Sequence, residues 1–285
     1  MSSLFCFGLG YCATRLALDV MAAGWRVAGT HRPGDPPPVK GLVNATVLPF
    51  GRERPLAPAM LAGVTHVLVS IPPDGDGDAT LAVHGEDLAR LPSLAWLGYL
   101  STTGVYGDTG GAWVDETSPL RPTVARSARR AEAEQAWLEL LRRLGVPVHV
   151  FRLAGIYGPG RSPIDNVRAD LAHRIVKPGH VFGRIHVEDV AAVLRASMAR
   201  PNPGAIYNVC DDEPAPPQDV VAHACQLLGI APPPEVPYEQ AAATLSPMAL
   251  SFYADSRRVR NDRIKTDLGV TLRYPSYREG LRTLV

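Results

Sequence analysis

Apolar runs of strand length recur along the first 160 residues of the chain. They occur at 4–7, 26–30, 45–50, 65–71, 95–101 and 147–157. Segments with apolar residues on helical spacing separate most of these runs, notably 79–91 and 124–144. Strands that alternate with helices are typical of a parallel sheet with helices packed on both faces. The pattern therefore predicts an α/β protein with a doubly wound parallel sheet of the Rossmann type.

A glycine-rich loop joins the first predicted strand to the first predicted helix. The loop, GLGYCA, follows the apolar residues Leu4 to Phe7 directly, and apolar residues then recur on helical spacing until Gly24. A G-x-G-x-x-A loop between a strand and a helix binds a dinucleotide, because Gly8 permits a tight turn and Gly10 lets the backbone approach a pyrophosphate. The free N–H groups of the first helical turn then face the phosphates. We therefore predict cofactor contacts from Gly8, Leu9, Gly10, Tyr11, Cys12 and Ala13.

The end of the second strand predicts which dinucleotide binds. An acidic residue there bonds the ribose 2′-hydroxyl of NAD, whereas an arginine accommodates the 2′-phosphate of NADP. In GTHRPGD (29–35), Arg32 occupies this position and Asp35 lies beyond a Pro-Gly turn. We therefore predict NADP(H), with NAD(H) as the second choice. Ligands of such sheets bind outside the carboxyl ends of the strands, so further cofactor contacts are expected at Ser70, Ser101 and Ala154.

The regular alternation of strands and helices loosens after residue 158. The sequence predicts a helix over 188–199, capped by Glu188 or Asp189, then a short strand at about 205–211 and a helix over 218–228. We expect residues 1–160 to form an NAD(P)-binding Rossmann domain, with the strand at 205–211 returning to its sheet. Residues 161–204 and 212–285 would then form a small C-terminal substrate-binding lobe.

Composition narrows the classes of partner. Among 285 residues, 29 basic and 28 acidic side chains nearly cancel, so the net charge offers no long-range attraction to nucleic acid or to a membrane surface. No signal peptide and no apolar stretch of about 18 residues is evident. The four cysteines lack metal-ligand spacing, which predicts reduced thiols in a cytoplasmic protein without a metal site. A small-molecule substrate is the expected partner.

Five segments resemble, in order, the extended short-chain dehydrogenase/reductase family of nucleotide-sugar epimerases and dehydratases. They are LSTTGVYGD (100–108), FRLAGIYGPG (151–160), RIHVEDVAAVL (184–194), AIYNVCDDEP (205–214) and NDRIKTDLG (261–269). The glycine loop departs slightly, because Phe7 stands where the family usually has its first glycine. The resemblance implies hydride transfer involving a carbonyl or hydroxyl substrate. It also implies a homodimer formed through helices that include 124–144.

The catalytic pair of the family is missing from this chain. The resemblance places a catalytic Tyr four residues after Pro122, a Lys four residues later and a Glu four residues after that. This chain has Arg126, Arg130 and Glu134 at those positions, and its Ser/Thr partner is expected to be Thr102. An arginine does not exchange a proton near neutral pH, but its forked donors suit anions and ribose oxygens. We expect Arg130 to contact the cofactor and Arg126 to anchor an anionic substrate.

The sequence leaves three hypotheses for the function. The first is an atypical reductase or epimerase in which Thr102 orients the substrate, Tyr106 is a candidate proton carrier and Tyr157 contacts the cofactor. Arg161 and Arg184 would then meet an anionic substrate. The second is a disarmed NADP(H)-binding protein that reports the state of the dinucleotide to a partner, and the third is a sugar-nucleotide lyase or isomerase with a tightly held cofactor. The alternative to a site role for Arg126, Arg129 and Arg130 is a solvated helix face, with Trp137, Leu138, Leu141 and Leu144 as the buried stripe of the same helix.

Overall fold

The computed structural model describes residues 2–37 and 41–285. Its strands are β1 (Ser3–Phe7), β2 (Arg26–His31), β3 (Thr46–Pro49), β4 (His66–Val69), β5 (Trp96–Thr102), β6 (Trp113–Val114), β7 (Val148–Leu153), β8 (Gly155–Tyr157), β9 (Arg174–Val176), β10 (Arg184–His186), β11 (Ile206–Val209), β12 (Glu235–Pro237) and β13 (Arg258–Val259). Its α-helices are α1 (Tyr11–Ala22), α2 (Ala79–Ala89), α3 (Ala125–Leu144), α4 (Pro163–Arg168), α5 (Val187–Ala199), α6 (Pro217–Leu228), α7 (Tyr238–Ala242), α8 (Pro247–Tyr253), α9 (Asp262–Thr266) and α10 (Tyr277–Arg282). Short 3-10 helices span Pro58–Leu61 and Thr103–Tyr106.

Seven strands form one sheet in the order β11-β7-β5-β4-β1-β2-β3, and every pairing in it is parallel. The chain starts in the middle of the sheet, runs outward through β2 and β3, and then crosses to β4 on the other side of β1. This reversal of direction creates a crevice between the carboxyl ends of β1 and β4, where ligands of such sheets bind. The predicted doubly wound Rossmann-type sheet is confirmed.

Two hydrophobic clusters cover the two faces of the sheet. Side chains alternate along β1, because successive residues of a strand point to opposite faces. Leu4 and Cys6 pack with α1 and α5 on one face, whereas Phe5 and Phe7 pack with α2 and α3 on the other. All four cysteines are buried and free of disulfide bonds, as predicted.

The predicted buried stripe of α3 is only partly correct, and the predicted cap of α5 is wrong. Trp137 is buried and Leu138 and Leu141 pack against the core as predicted, whereas Leu144 is 46% exposed. Glu134 and Leu140 are buried as well, and the Glu134 carboxylate is paired with Arg152 inside the protein. The cap of α5 is His186, whose Nδ1 accepts a hydrogen bond from the backbone N–H of Glu188. Asp189 does not cap the helix, because its carboxylate accepts from the backbone N–H groups of Arg273 and Tyr274, at 2.8 and 3.0 Å.

Three two-stranded pairs lie outside the large sheet. They are β8 with β10, β9 with β12 and β6 with β13, and β8 begins two residues after the carboxyl end of β7. Helices α4, α6 and α10 pack around a separate apolar cluster that includes Tyr157, Ile164, Val220, Tyr277 and Leu281. Within residues 2–37 and 41–285, no helix has the length and apolar character needed to cross a membrane.

Candidate functional site

Gly8 is fixed in a conformation that other residues rarely adopt. Its φ angle is +90°, and a Cβ atom there would lie 2.9 Å from both the Ile71 side chain and Ser70 Oγ. Its N–H donates to Thr30 Oγ1 at 2.8 Å, and Ser70 Oγ donates to its carbonyl oxygen at 2.5 Å. The predicted contact residue Ser70 therefore lies against the glycine loop. The turn is held by β2 on one side and by the residues that follow β4 on the other.

Gly10 is the N-cap residue of α1, and its surroundings differ from those of Gly8. Its backbone is extended, with φ −81° and ψ −170°, and a Cβ atom placed on it would meet nothing within 4 Å. It has no side chain to occupy the free N–H groups of the first helical turn, which also contains no acidic residue. Ala13 is completely buried beneath this turn. An open approach to unoccupied N–H groups fits the pyrophosphate of a dinucleotide, so Gly8, Leu9, Gly10, Tyr11, Cys12 and Ala13 would hold it.

The end of β2 presents polar and basic groups. Thr30 is bonded to Gly8, His31 is the last strand residue, and Arg32 follows it as an exposed side chain. The backbone N–H of Asp35 donates to the carbonyl of Arg32 at 3.1 Å, which closes a turn between the two residues. Arg32 is thus the exposed charged side chain that follows the strand directly.

A buried polar network lies behind the carboxyl ends of β5 and β7. The Glu134 carboxylate accepts from Arg152 Nε and Nη2, at 3.1 and 2.8 Å, and from the Ser101 hydroxyl. Arg152 Nη1 donates to the Tyr106 hydroxyl, which donates to Asn208 Oδ1 at 2.7 Å. Burial raises the pKa of Tyr106 to about 12. The hydroxyl groups of Ser101 and Tyr106 are therefore engaged inside the protein.

Sequence reasoning missed Arg152 and Asn208 as members of this network. The sequence nevertheless carries a sign of Arg152, which is the one arginine in the largely apolar run PVHVFRLAGIY. An arginine in a buried strand requires a partner. Asn208 carries no comparable signal. Its role depends on β11 lying beside β7, which brings its side chain to Tyr106 and to the Arg260 carbonyl.

The side chains of Arg126 and Arg130 make different contacts, although the two residues lie one turn apart on α3. The half-buried Arg130 donates to the carbonyl oxygen of Leu100 and lies 5.7 Å from the centre of the Tyr99 ring, against the end of β5. The exposed Arg126 lies 4.8 Å from the centre of the Phe252 ring. The Thr102 hydroxyl, at the end of β5, accepts from the N–H of Gly104 at 3.1 Å. Arg126 is thus directed towards α8 and not into the sheet.

A cavity of about 510 Å³ lies between the loop after β7, helix α8 and helix α10. It is lined by Gly155, Ile156, Tyr157, Gly160, Arg161, Ser162, Pro163, Asn166, Phe182, Arg184, Val220, Phe252, Tyr277 and Leu281. Ala154 is buried next to it and donates its N–H to the carbonyl of Val209. Phe252 connects this cavity to Arg126.

Arg184 is a buried cation in the wall of the cavity. Its Nη1 donates to the carbonyl oxygens of Ala215 and Phe182, at 2.9 and 3.2 Å, and its guanidinium stacks 4.0 Å from the centre of the Phe182 ring. Burial lowers the pKa of Arg184 to about 10. The Tyr157 hydroxyl donates to the carbonyl of Ser276 at 3.4 Å, and burial raises its pKa. The structure therefore brings Arg161, Arg184 and Tyr157 around one cavity, and the Tyr11–Pro159 hydrogen bond joins its rim to the residue that follows Gly10.

Comparisons with known proteins agree with this architecture. The sequence profile of the NAD dependent epimerase/dehydratase family matches residues 87–210. Protein YeeZ of Escherichia coli K12 is 30% identical over 249 residues, which cover 82% of this chain and 86% of YeeZ. A functionally unknown conserved protein from Silicibacter pomeroyi, whose structure is solved, is 52% identical with a TM-score of 0.89, covering 100% of this chain and 98% of that one.

A third protein is similar in its fold alone. The dTDP-glucose 4,6-dehydratase of Bacillus anthracis, solved in complex with NAD, superposes with a TM-score of 0.80 at 16% identity, covering 100% of this chain and 95% of the dehydratase. The profile match, the relationship to YeeZ and the Rossmann-type sheet with its glycine loop agree with one another. The chain belongs to the NAD-dependent epimerase/dehydratase family, within the extended short-chain dehydrogenases/reductases.

Proposed function

We propose that the chain is an NADP(H)-preferring oxidoreductase of the epimerase/dehydratase type that acts on an anionic substrate with a carbonyl or hydroxyl group. One observation carries this proposal. The open glycine loop lies at the same edge of the sheet as a cavity with two cationic side chains, Arg161 and Arg184, in its wall. A sugar nucleotide is one anion of this kind, and the Bacillus anthracis neighbour is named for such a substrate.

The preference for NADP(H) rests on Arg32. Its exposed guanidinium follows β2 directly and could pair with a 2′-phosphate, whereas Asp35 is set back by the turn that it closes with Arg32. The neighbour from Bacillus anthracis was solved with NAD, so the proposed preference distinguishes this chain from that protein.

The proposed chemistry does not use a tyrosine as the proton carrier. The bound dinucleotide would exchange a hydride at nicotinamide C4. The hydroxyl groups of Tyr106 and Tyr157 are buried and bonded within the protein, so we propose that water supplies or takes the proton at the exposed side of the site. Thr102 and Arg126 would hold the reacting substrate oxygen, with the Arg126 guanidinium stabilising negative charge on it.

A second candidate is a dinucleotide-binding protein without redox chemistry. The contacts of the two arginines at the Tyr and Lys positions favour it, because Arg130 is bonded to Leu100 and Arg126 stacks on Phe252. Such a protein would bind the dinucleotide, oxidise or reduce nothing, and recognise a partner in a dinucleotide-dependent manner.

Turnover with a panel of carbonyl compounds separates the two candidates. The panel consists of ketones and aldehydes with a carboxylate, phosphate or sugar-nucleotide group, and oxidation of NADPH is the readout. The enzyme proposal predicts turnover of at least one compound, with kcat falling about a hundredfold in Arg126→Gln and strongly in Thr102→Ala. The exposed Arg142→Gln on the same helix is the matched control.

The opposite set of results would favour the second candidate. In that case the wild-type chain binds NADPH without turning over any compound, and the double variant Arg126→Tyr with Arg130→Lys gains activity on a ketone or sugar nucleotide. Turnover by the wild type with an unchanged kcat in Arg126→Gln would instead reject the role proposed for Arg126 alone.

We also propose that the chain forms a homodimer and lies in the cytoplasm. An open groove of about 540 Å³ runs between α2 and α3, the side of the molecule where the sequence resemblance implies a dimer contact. The exposed Ala136 lies on its α3 side. A second copy of the chain is the partner that we propose for this groove.

A further inference from the structure

We infer that Arg161 belongs to the dinucleotide site, where its guanidinium closes over the pyrophosphate at the start of α1, with Tyr11 as its support. This inference rests on the proposed binding of a dinucleotide. It assigns Arg161 to the cofactor and leaves Arg184 as the cation of the cavity wall that would meet the anionic substrate.

A tight turn fixes the position of Arg161. The N–H of Gly158 donates to the carbonyl of Arg161 and the N–H of Arg161 donates to the carbonyl of Gly158, at 3.1 and 3.0 Å. Gly158 has a φ of +154°, and a Cβ atom there would lie 2.7 Å from the Tyr11 hydroxyl and 2.8 Å from the Val187 side chain. Only a glycine therefore lets this turn lie so close to the start of α1.

Tyr11 attaches the turn to the cofactor helix. Its hydroxyl donates to the carbonyl of Pro159 at 3.0 Å, a contact between residues 148 positions apart. The guanidinium carbon of Arg161 lies 5.7 Å from the centre of the Tyr11 ring, within the range of a cation–π contact. Because Tyr11 is the first residue of α1, these contacts place the Arg161 side chain beside the first helical turn.

The positive charge of Arg161 acts on the side chains of the first turn of α1. Burial raises the pKa of the Cys12 thiol to about 11, and the positive charge of Arg161 acts against that rise. In the part of the chain that the structure describes, no carboxylate lies within ion-pair distance of this exposed guanidinium. Its donors are therefore available to phosphate oxygens next to the helix N-terminus, where a cation and free N–H groups would act on the same anion.

Calorimetric titration with ADP-ribose, NADPH and NADH tests the inference without turnover. ADP-ribose keeps the pyrophosphate but lacks nicotinamide. We expect Arg161→Gln to raise the Kd of all three ligands about tenfold or more, because a charge-assisted hydrogen bond is lost. Arg161→Lys should lose less, since it keeps the charge. Tyr11→Phe should weaken binding by a few fold, because the bond to Pro159 is removed while the ring remains.

The matched control is Arg168→Gln, an equal change of charge on an exposed residue of α4, which should leave all three Kd values unchanged. An unchanged Kd for ADP-ribose in Arg161→Gln, with normal binding by the wild type, would overturn this inference and leave the proposed function standing. Failure of the wild-type chain to bind any of the three ligands would reject both. Circular dichroism of each variant checks that the fold is intact.

Discussion

Gly8 and Gly10 lie two residues apart, yet the surroundings of their α-carbons differ. Gly8 has a positive φ and almost no space for a side chain, so it is required for folding of the loop. Gly10 has an ordinary extended backbone and open space in the direction of a side chain. Folding therefore does not require a glycine at position 10, whereas the close approach of a pyrophosphate does.

Paired alanine variants separate these two roles. Gly10→Ala should keep the free energy of unfolding within about 0.5 kcal/mol of the wild type and weaken NADPH binding at least tenfold, because the added methyl group occupies the phosphate approach. Gly8→Ala should lower the free energy of unfolding by about 1–3 kcal/mol. Urea denaturation and calorimetry measure the two effects. Equal NADPH affinity in Gly10→Ala and the wild type would show that the loop does not hold the pyrophosphate.

The glycine loop was predictable because local rules determine it. A strand, a G-x-G-x-x-A loop and a helix follow one another in sequence, and each has its own composition. The positions of Arg126 and Arg130 were not predictable in the same way. Their spacing places them on one side of α3, but the acceptor at Leu100 and the ring of Phe252 come from distant parts of the chain.

Helix α3 is attached to the sheet by an ion pair as well as by apolar packing. Glu134 is completely buried and holds Arg152 of β7 and Ser101 of β5 together. This contact explains why the apolar stripe predicted for the helix is only partly correct, since the spacing of leucines does not reveal a glutamate that faces the sheet. It also places the end of β5, and hence Thr102, at a fixed position relative to α3.

Glu134→Gln tests the importance of this ion pair. Removing the carboxylate leaves the buried Arg152 without its counter-charge, and we expect the free energy of unfolding to fall by about 3–5 kcal/mol. The control is Glu139→Gln, an exposed residue of the same helix that pairs with Arg142, where the loss should be about 0–1 kcal/mol. Urea denaturation compares both with the wild type. A similar small loss in both variants would contradict the structural role of Glu134.

Three of the buried histidines, in different regions of the fold, have strongly lowered pKa values. Burial lowers the pKa of His149, His180 and His186 to about 4 in each case. His149 lies in β7, where its Nε2 accepts from the N–H of Asn202 at 2.9 Å and would lose this bond on protonation. His186 is the last residue of β10, and His180 lies four residues before that strand.

Because the pKa values of these histidines are lowered in the folded protein, we expect the protein to lose stability in mild acid. As the pH falls below about 6.5, the unfolded chain binds protons that the folded chain binds only near pH 4. The contribution of each histidine to the free energy of unfolding is therefore fully present above pH 6.5. Between pH 6.5 and about 4, protonation of the unfolded chain lowers that free energy by up to about 1.4 kcal/mol per pH unit for each histidine. His149→Gln should make the fall shallower, whereas the exposed His173→Gln should not. Urea denaturation between pH 7 and pH 4.5 measures the free energy of unfolding at each pH. Equal slopes of this free energy against pH in His149→Gln and the wild type would contradict the prediction.

The sheet and the glycine loop could be predicted from the sequence because strand and helix periods, glycines and short connections are local features. The cavity could not, because it is assembled from segments near residues 155–166, 182–184, 220, 252 and 277–281. Arg161 illustrates the difference. The resemblance implied that Arg161 belongs to the substrate lobe, whereas its contact with Tyr11 appears only when the turn at 158–161 lies against α1.

We propose that this chain binds NADP(H) at the start of α1, with Arg32 at the adenosine end. Calorimetric titration of the wild-type chain with NADPH and with NADH tests this binding. We expect a lower Kd for NADPH, and a reversed preference in Arg32→Asp. Binding of neither dinucleotide would contradict the cofactor site, and a Kd for NADH equal to or below that for NADPH would contradict the role of Arg32.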